Sequence, residues 1–476
     1  MLSLLDTLNI GASGLEAQQT GLTVTGQNIA NQNNSAYTRQ VVDLSAGPDI
    51  QTPNGFEGTG VQVSTIQQIS DSALNGQICN QNSTENYWNT QQSNLENIQT
   101  ELGQFLNTSS SSVDGTTGSD GTASSEGLSS QINSLFNGFE SVASDPTSLS
   151  ERQALVSQAQ TLAGSFNQIN TQLSGVESNI NGSIDTDVAS ANQLMSNIAS
   201  LNGQIAMAEA GTNNTANDLR DQREQDLENL SQLGNFQIST ATDGTVSIVA
   251  GPYTMVSGSK VVSTLGTENW EGSHIVYSTT DNASVTFTGG SIAGEMDARD
   301  GALADLQSGV NTLASQLITQ VNSVYSPGYD LNGNTGADFF TGTDASSIGV
   351  NSNLLTDPSQ VQAAGTAGAA SDNTVALALG QLATTSQSGL NNETFSDNFS
   401  LLVSGLGNSL SNANDQVASQ QAVTQMLQNQ RGSISGVSLD EEMTNMLTYQ
   451  KAYQASAQVV STVNEMLETL ISMKTV

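Results

Sequence analysis

The last forty residues, Val437 to Val476, constrain this chain more than any other stretch, because they carry an apolar stripe that one helix cannot bury by itself. Alternate steps of three and four from Met446 reach Tyr449, Tyr453, Ser456, Val460, Val463, Leu467 and Leu470, all apolar except Ser456, which is the pattern of a coiled-coil seam. Ser438 and Glu441 have the spacing of a capping box, and Asp440 and Glu441 suit the positive end of the helix dipole. Such a helix takes most of its stability from packing, so it requires a partner. The opposite end of the chain supplies one: Met1, Leu5, Leu8, Ala12, Leu15, Gln19, Leu22, Gly26 and Ile29 repeat the spacing, interrupted only at Gln19 and Gly26. That segment also contains Gly11, Gly14, Gly21 and Gly26, each costing about 1 kcal/mol relative to Ala inside a helix. The two ends are therefore expected to fold against each other, and against neighbouring subunits, on assembly.

With 476 residues, length sets a prior of about three domains. Lys plus Arg number 9 and Asp plus Glu 45, a formal charge of −36, which repels phosphate backbones and anionic lipid and argues against nucleic-acid or membrane partners. Hydrophobic residues are 36% and aromatics 4%, a composition suited to long thin helical layers and an elongated molecule rather than one thick core. Cys79 is the single cysteine; it reads as a small buried apolar residue. No run approaches the roughly 20 apolar residues of a membrane span, and no basic residue precedes Arg39, so the start lacks the charged region of a secretory signal.

Along the chain, Asn28-Ile29-Ala30-Asn31 reads as a helix end closed by an Asn in the left-handed conformation. An extended piece with Tyr37, Val41, Val42 and Leu44 follows, then a turn-rich stretch through Pro53, Gly55, Gly58 and Gly60, and a short strand at Val61, Val63 and Ile66. Helical spacing runs from about Ser70 to Leu106. The span Asn107 to Gly127, nearly all Ser, Thr, Gly and Asp, reads as a flexible loop. A second capping box, Ser148 with Glu151, opens a periodic segment from Leu155 to Ile205, a rod of roughly 80 Å. A helix from Asn217 to Leu233 ends at Gly234. Alternation at Phe236, Ile238, Val246 and Ile248 around Asp243-Gly244 predicts a hairpin. Helical spacing returns from Leu303 to Val324 and stops at Pro327-Gly328; it recurs near Thr374 to Leu382 and from Phe395 to Gln430, with Gly432 and Gly436 expected to separate that rod from the terminal helix.

The fold expected is α+β, mostly α: an elongated multi-domain protein with terminal coiled-coil helices, a long helical-rod domain and a central β domain. The divisions expected are 1–35 with 437–476, then 36–234 with 289–328 and 371–436, then a β-rich part at 235–288 and 329–370.

Several motifs in order carry a family resemblance. Ser13-Gly14-Leu15-Glu16-Ala17-Gln18-Gln19, Asn28-Ile29-Ala30-Asn31 and Tyr37-Thr38-Arg39-Gln40 resemble the N-terminal signature of the flagellar axial proteins, the rod, hook and junction subunits. Asp145-Pro146-Thr147-Ser148-Leu149 with Arg152, Asn217-Asp218-Leu219 with Asp221-Gln222-Arg223, Asp330-Leu331-Asn332-Gly333 with Asp338-Phe339-Phe340, and the ending from Ser435 through Ala457 are similar to the hook-associated members at the hook-filament junction. The resemblance implies a structural subunit with no catalysis and no cofactor, exported by the flagellar type III apparatus to the bacterial flagellum outside the cell. It implies a tubular self-assembly whose seam contains Leu5, Leu8, Leu15, Leu22 and Ile29 with the C-terminal stripe. It also implies the family positions Asn28, Asn31, Tyr37 and Arg39, with Arg39 in a structural or intersubunit ion pair. Hook protein on one side, the third hook-associated protein on the other, and a cytoplasmic chaperone holding the C-terminal segment are the implied partners. A rod or hook protein of the same family, or a secreted coiled-coil adhesin or effector, are the alternatives.

Catalytic and metal-binding readings are weaker. His274 is the only histidine and has no Cys/His cluster to join. Asp330-Leu331-Asn332-Gly333-Asn334 begins like a calcium loop, but position six is Thr335 and position twelve Thr341, so both the turn glycine and the bidentate ligand are missing; a turn is expected. Gly58-Thr59-Gly60 lacks a third glycine, and no phosphate-binding loop is present.

Overall fold

The structure is a computed structural model that describes all residues except 1–3, 35, 53–54, 107–126, 212–214, 271–272 and 475–476. Met1, Pro53 and nearly all of the Ser/Thr/Gly loop expected at 107–127 lie outside the described residues. The fold is mostly helical α+β with small antiparallel sheets. Two compact units divide the chain, one of Met1–Asn86, Thr186–Ile292 and Ala418–Val476, the other of Tyr87–Asp185 and Ala293–Val417. The two β-rich segments expected from sequence fall in different units, with 235–288 in the first and 329–370 in the second.

In the first unit, helix α1 (Leu4–Ala30) pairs with the last helix, α11 (Leu439–Lys474). After α1, strands β1 (Gln40–Ala46) and β4 (Val61–Gln68) form an antiparallel ladder interrupted between Asp43 and Leu44, and a smaller ladder of β2 (Ile50–Thr52) with β3 (Gly55–Glu57) lies between them in sequence. Helix α5 (Asn217–Leu233) has the expected bounds. The expected hairpin forms as β5 (Gln237–Thr240) with β6 (Val246–Ala250), and extends to β7 (Tyr253–Ser257) and β8 (Lys260–Val261); β9 (Leu265–Trp270), β10 (Ser273–Ser278) and β11 (Ala283–Ser284) make a second sheet. Alternation explains β6, whose Val246, Ile248 and Ala250 are buried while Ser247 and Val249 are not.

Buried Asn202, in helix α4 (Leu149–Glu209), joins these parts. It donates to the Val246 and Gly258 carbonyls at 2.8 Å and accepts from Arg223 Nη1 at 2.9 Å and the Val246 N–H at 3.1 Å. Every hydrogen-bonding position of the amide is filled, which is what allows it to be buried. Gly290 sits at φ +80°, and a Cβ there would lie 2.3 Å from the Gly234 nitrogen, so only glycine fits.

The second unit contains most of the aromatic packing. Phe136 stacks on Phe395 with centroids 5.7 Å apart, and Phe339 meets Phe139, Tyr325 and Phe340 at 5.1, 5.1 and 4.9 Å. Phe136 and Phe139 belong to helix α3 (Leu128–Ser144), which the sequence reading omitted. Its apolar residues Leu128, Ile132, Leu135, Phe139 and Val142 keep helical spacing, so the signal was present. The loop reading ends at Gly127, directly before this helix, but assigns no element between it and Ser148. Helix α4 opens as expected, the Glu151 N–H donating to Ser148 Oγ at 3.3 Å, and its 61 residues span about 90 Å. Before α7 (Ala304–Tyr325) the chain winds as α6 (Gly290–Asp297) and a wider π-helical stretch, Ala298–Leu303. The Asp330 segment is a turn: Asp330 Oδ1 accepts from the Asn332 and Asn334 N–H groups, both at 2.8 Å, and Gly333 takes φ +83°.

Two expectations at helix ends are corrected. Asn282, Asn391 and Asn392 are the described non-glycine residues with positive φ, so neither Asn28 nor Asn31 closes α1 by the left-handed route; Asn28 is buried and hydrogen-bonded instead. Gly432 does not break the rod, because α10 runs from Phe395 to Ser435 and only Gly436, Val437 and Ser438 separate it from α11. No described helix is long and apolar enough to cross a membrane.

Candidate assembly interface

Helices α1 and α11 run antiparallel, because Gly11 meets Val460, Gly14 meets Ser456, Gly21 meets Tyr449 and Asn28 is bonded to Glu442. A Cβ on Gly11 would lie 2.7 Å from Val460 Cγ2, and one on Gly21 would lie 2.7 Å from Tyr449 Cδ1 and Cε1. The buried line on α1 is Gly11, Gly14, Ala17, Gly21, Val24, Thr25 and Asn28. Small residues let the helix axes approach, and the larger side chains of α11 fill the space.

On α11, therefore, the structure places Tyr449, Ser456 and Val460 on the face towards α1, with Val463 buried, Met446 and Leu467 half-buried, and Tyr453 and Leu470 exposed. On α1, the predicted seam residues Leu8, Leu15, Leu22 and Ile29 are half-buried and lie one position beyond the glycine line; Leu5 is 61% exposed. Hydrophobicity pointed to the leucines, whereas the contact runs through glycine. A stripe of small residues at three- and four-residue spacing was the signal that sequence reasoning missed.

Three of the four positions singled out by the resemblance, Asn28, Tyr37 and Arg39, converge where α1 ends and α11 begins. Asn28 Nδ2 donates to the Gln40 carbonyl at 2.9 Å and to Glu442 Oε2 at 3.1 Å, while Asn28 Oδ1 accepts from Tyr37 Oη at 2.8 Å and the Gln40 N–H at 3.1 Å. Arg39 pairs with Glu441 at 2.9 Å and with Glu442 at 3.5 Å, and its N–H donates to the Ser435 carbonyl at 3.0 Å. Glu442 is only 2% exposed; burial of a carboxylate is tolerated here because Arg39 and Asn28 both reach it. The expected capping box is replaced by this arrangement, with Glu441 turned to Arg39. Asn31 lies outside the network; its side chain donates to the Gln27 carbonyl at 3.0 Å.

Helix α5 completes the site. Asp221 accepts from the Thr38 N–H at 3.2 Å and from Gln68 Nε2 at 2.8 Å, and Asn217 Nδ2 donates to the Ile66 carbonyl at 3.0 Å. Burial, and then the carboxylates of Asp218, Asp221 and Glu442, push the Tyr37 phenol up to about 12. Burial also raises Asp221 and Glu224 above the usual carboxylate range, with Glu228 adding to the effect on Glu224.

These raised groups make a pH prediction. In the folded chain Asp221 and Glu224 hold their protons more tightly than when unfolded, so their stabilising contribution is full below the ordinary range near pH 4 and is lost as pH rises through the raised values. Glu209 behaves oppositely: hydrogen bonding to Arg220 lowers it, and its contribution is lost on acidification. The contribution of these two groups to the thermal midpoint is expected to fall as pH rises above the ordinary carboxylate range. Glu224→Gln is expected to raise the midpoint at pH 7.5 and flatten that slope, as measured by calorimetry.

His274 lies in β10 with its Nδ1 2.8 Å from Asn269 Oδ1. No group of three or more potential metal-ligating side chains occurs among the described residues. What this site does chemically is hold two chain ends together.

Residues 119–340 match the family model for the flagellar hook-associated protein FlgK helical domain, and residues 428–473 match that for the flagellar basal body rod FlgEFG protein C-terminal region. The chain is 28% identical to flagellar hook-associated protein 1 of Bacillus subtilis, covering 98% of this chain and 97% of that one. It is 26% identical to flagellar hook-associated protein 1 of Escherichia coli, covering 98% and 99%. Among solved structures it resembles the flagellar hook junction protein FlgK from Burkholderia pseudomallei, with a TM-score of 0.63, 16% identity, and coverage of 76% of this chain and 100% of that one; this likeness concerns the fold. The C-terminal match is to a model named for rod-type proteins, whereas the match over 119–340 and the relatives matched along nearly the whole chain carry the hook-associated name, so the chain is similar over almost its full length to flagellar hook-associated protein 1.

Proposed function

We propose that this protein is a structural subunit of the bacterial flagellum at the hook-filament junction, whose copies polymerise through the paired helices α1 and α11. The observation that carries this reading is the match to curated junction relatives over 98% of the chain, including both ends. The terminal pair lines the inner tube and the remaining segments lie outside it. The half-buried stripe Leu8, Leu15, Leu22 and Ile29, together with exposed Met443, Leu447 and Met466 on α11, supports the use of further helix faces by neighbouring copies. Hook protein on one side and the third hook-associated protein on the other are the proposed neighbours. Export through the flagellar type III apparatus, with a cytoplasmic chaperone on the C-terminal segment, is the proposed route.

Deleting the gene in a flagellated host is expected to leave hooks and abolish filaments, as seen by electron microscopy. Loss of the hook itself would instead indicate a rod or hook protein. The termini are proposed to complete their folding on assembly, since the glycines weaken α1 by itself. Hydrogen exchange is expected to show weak protection in α1 and α11 of the dilute chain and strong protection in isolated flagella; equal protection in both would reject coupled folding.

A further inference from the structure

Between the terminal helices and the rest of the first unit the chain crosses twice, at residues 69–71, which lead from β4 into helix α2 (Ser72–Leu106), and at residues 436–438, which lead from α10 into α11. On the terminal side α1 packs on α11 and on the β1–β4 ladder, and Asn28 and Arg39 both reach Glu442. On the other side an ion pair between Arg431 and Glu228 joins α10 to α5. Hydrogen bonds tie the two sides together. Asp221 on α5 grips the ladder at both strands, one carboxylate oxygen accepting from the Thr38 N–H at 3.2 Å and the other from Gln68 Nε2 at 2.8 Å. Gln40 Nε2 donates to Asp218 at 3.4 Å, and the Arg39 N–H to the Ser435 carbonyl at 3.0 Å. A cavity of about 520 Å³ runs along this joint, lined by Asn31 and Thr38 on the terminal side, Val437 in the crossing, and Asp221, Glu224 and Arg431 opposite.

Resting on the junction reading above, we infer that this joint is a hinge within each assembled subunit: α1, α11 and the β1–β4 ladder swing as one body against α5 and α10, and Asp221 is the latch that holds the joint closed. Hydrogen bonds exchange for bonds to water at small net cost, whereas parting α1 from α11 exposes packed apolar groups at a cost set by their area. The joint therefore opens while the helix pair stays intact. The cavity gives the moving side room and brings water close to the latch. Burial raises Asp221 against its hydrogen bonding to Thr38, so water reaching the carboxylate on opening favours its charged form. A Cβ on Gly436 would overlap the Gly432 carbonyl, so the chain turns into α11 at a residue with no side chain, and hinges are made of a few such positions at element ends.

The test compares three buried thiols in full-length chains within isolated flagella: Gln40→Cys at the joint, Val24→Cys between α1 and α11, and the native Cys79 on α2. Each is exposed to a maleimide, and modified peptides are followed over time by mass spectrometry. The expected order is Gln40→Cys fastest, with Val24→Cys and Cys79 slow. Adding Asp221→Ala, which removes the acceptor of two hydrogen bonds across the joint, is expected to speed Gln40→Cys roughly tenfold and leave the other two unchanged. Gln68→Ala removes one of those bonds and is expected to act in the same direction, which decides the matter if the Asp221 variant does not assemble. Gln222→Ala, exposed on α5, is expected to change nothing. Gln40→Cys as slow as Cys79, Val24→Cys keeping pace with Gln40→Cys, or all three thiols quickened alike overturns the hinge and leaves the junction reading standing. Unmutated chain missing from isolated flagella overturns the junction reading, and the hinge of an assembled subunit with it.

Discussion

Replacing Arg152 by methionine is expected to destabilise the second unit by about 3 kcal/mol, because the buried Val361 carbonyl and the half-buried Pro146 carbonyl lose their donor and each orphaned group costs about 1–3 kcal/mol. Arg152 is 1% exposed. Its Nε and Nη2 donate to the Pro146 carbonyl at 3.0 and 2.6 Å, and its Nη1 donates to the Val361 carbonyl. One planar fork thereby ties the turn before α4 to a segment more than two hundred residues later. Burial works against the charge and lowers its pKa, while Tyr325 and Asp330 support it. Methionine removes that desolvation cost but cannot remove the main-chain carbonyls, which is why the loss outweighs the gain. Arg152→Lys is expected to fail as well, since one ammonium does not reproduce the fork. At this unit size, about 2–4 °C per kcal/mol predicts a fall of about 6–12 °C in the thermal midpoint by calorimetry. An unchanged midpoint would mean that the carbonyls find other donors.

The second large effect is a contrast between two glycines in one helix. Gly21→Ala places a methyl 2.7 Å from the Tyr449 ring, and overpacking of this kind costs about 1–3 kcal/mol. The improved helix propensity returns only about 1 kcal/mol, so pairing of α1 with α11 is expected to weaken and motility to fall. Nothing lies within 4 Å of a Cβ on Gly26, so Gly26→Ala is expected to stabilise the chain by about 1 kcal/mol. Thermal melts of the two variants followed by circular dichroism should move in opposite directions. Melts that both rise would show that the glycines are not set by contact with α11.

Much of the local structure was legible because periodicity and punctuation agreed. Helix α5 has both of its predicted ends, Asp243-Gly244 turns the predicted hairpin, and α7 stops before Pro327. Where a residue type serves more than one purpose, its local preference misled. The Asn28–Asn31 segment looked like a left-handed closure because Asn tolerates that conformation, yet Asn28 is used for its four hydrogen-bonding positions. The π-helical stretch at Ala298–Leu303 had no counterpart in the sequence pattern, since a single widened turn barely changes apolar spacing.

The candidate interface divides the same way. The sequence by itself determined that both ends are helical, that their apolar spacing matches, and that Tyr449, Ser456 and Val460 share one face of α11. Only the tertiary structure decided which face of α1 they meet. Periodicity reports where apolar groups recur, but two helices approach most closely where side chains are smallest, and so Gly11, Gly14 and Gly21 took the contact and left Leu8, Leu15 and Leu22 at its edge. The clamp of Arg39, Glu442, Asn28 and Tyr37 was likewise beyond reach of sequence spacing. It joins positions some four hundred residues apart, and only folding brings a buried carboxylate to the groups that neutralise it.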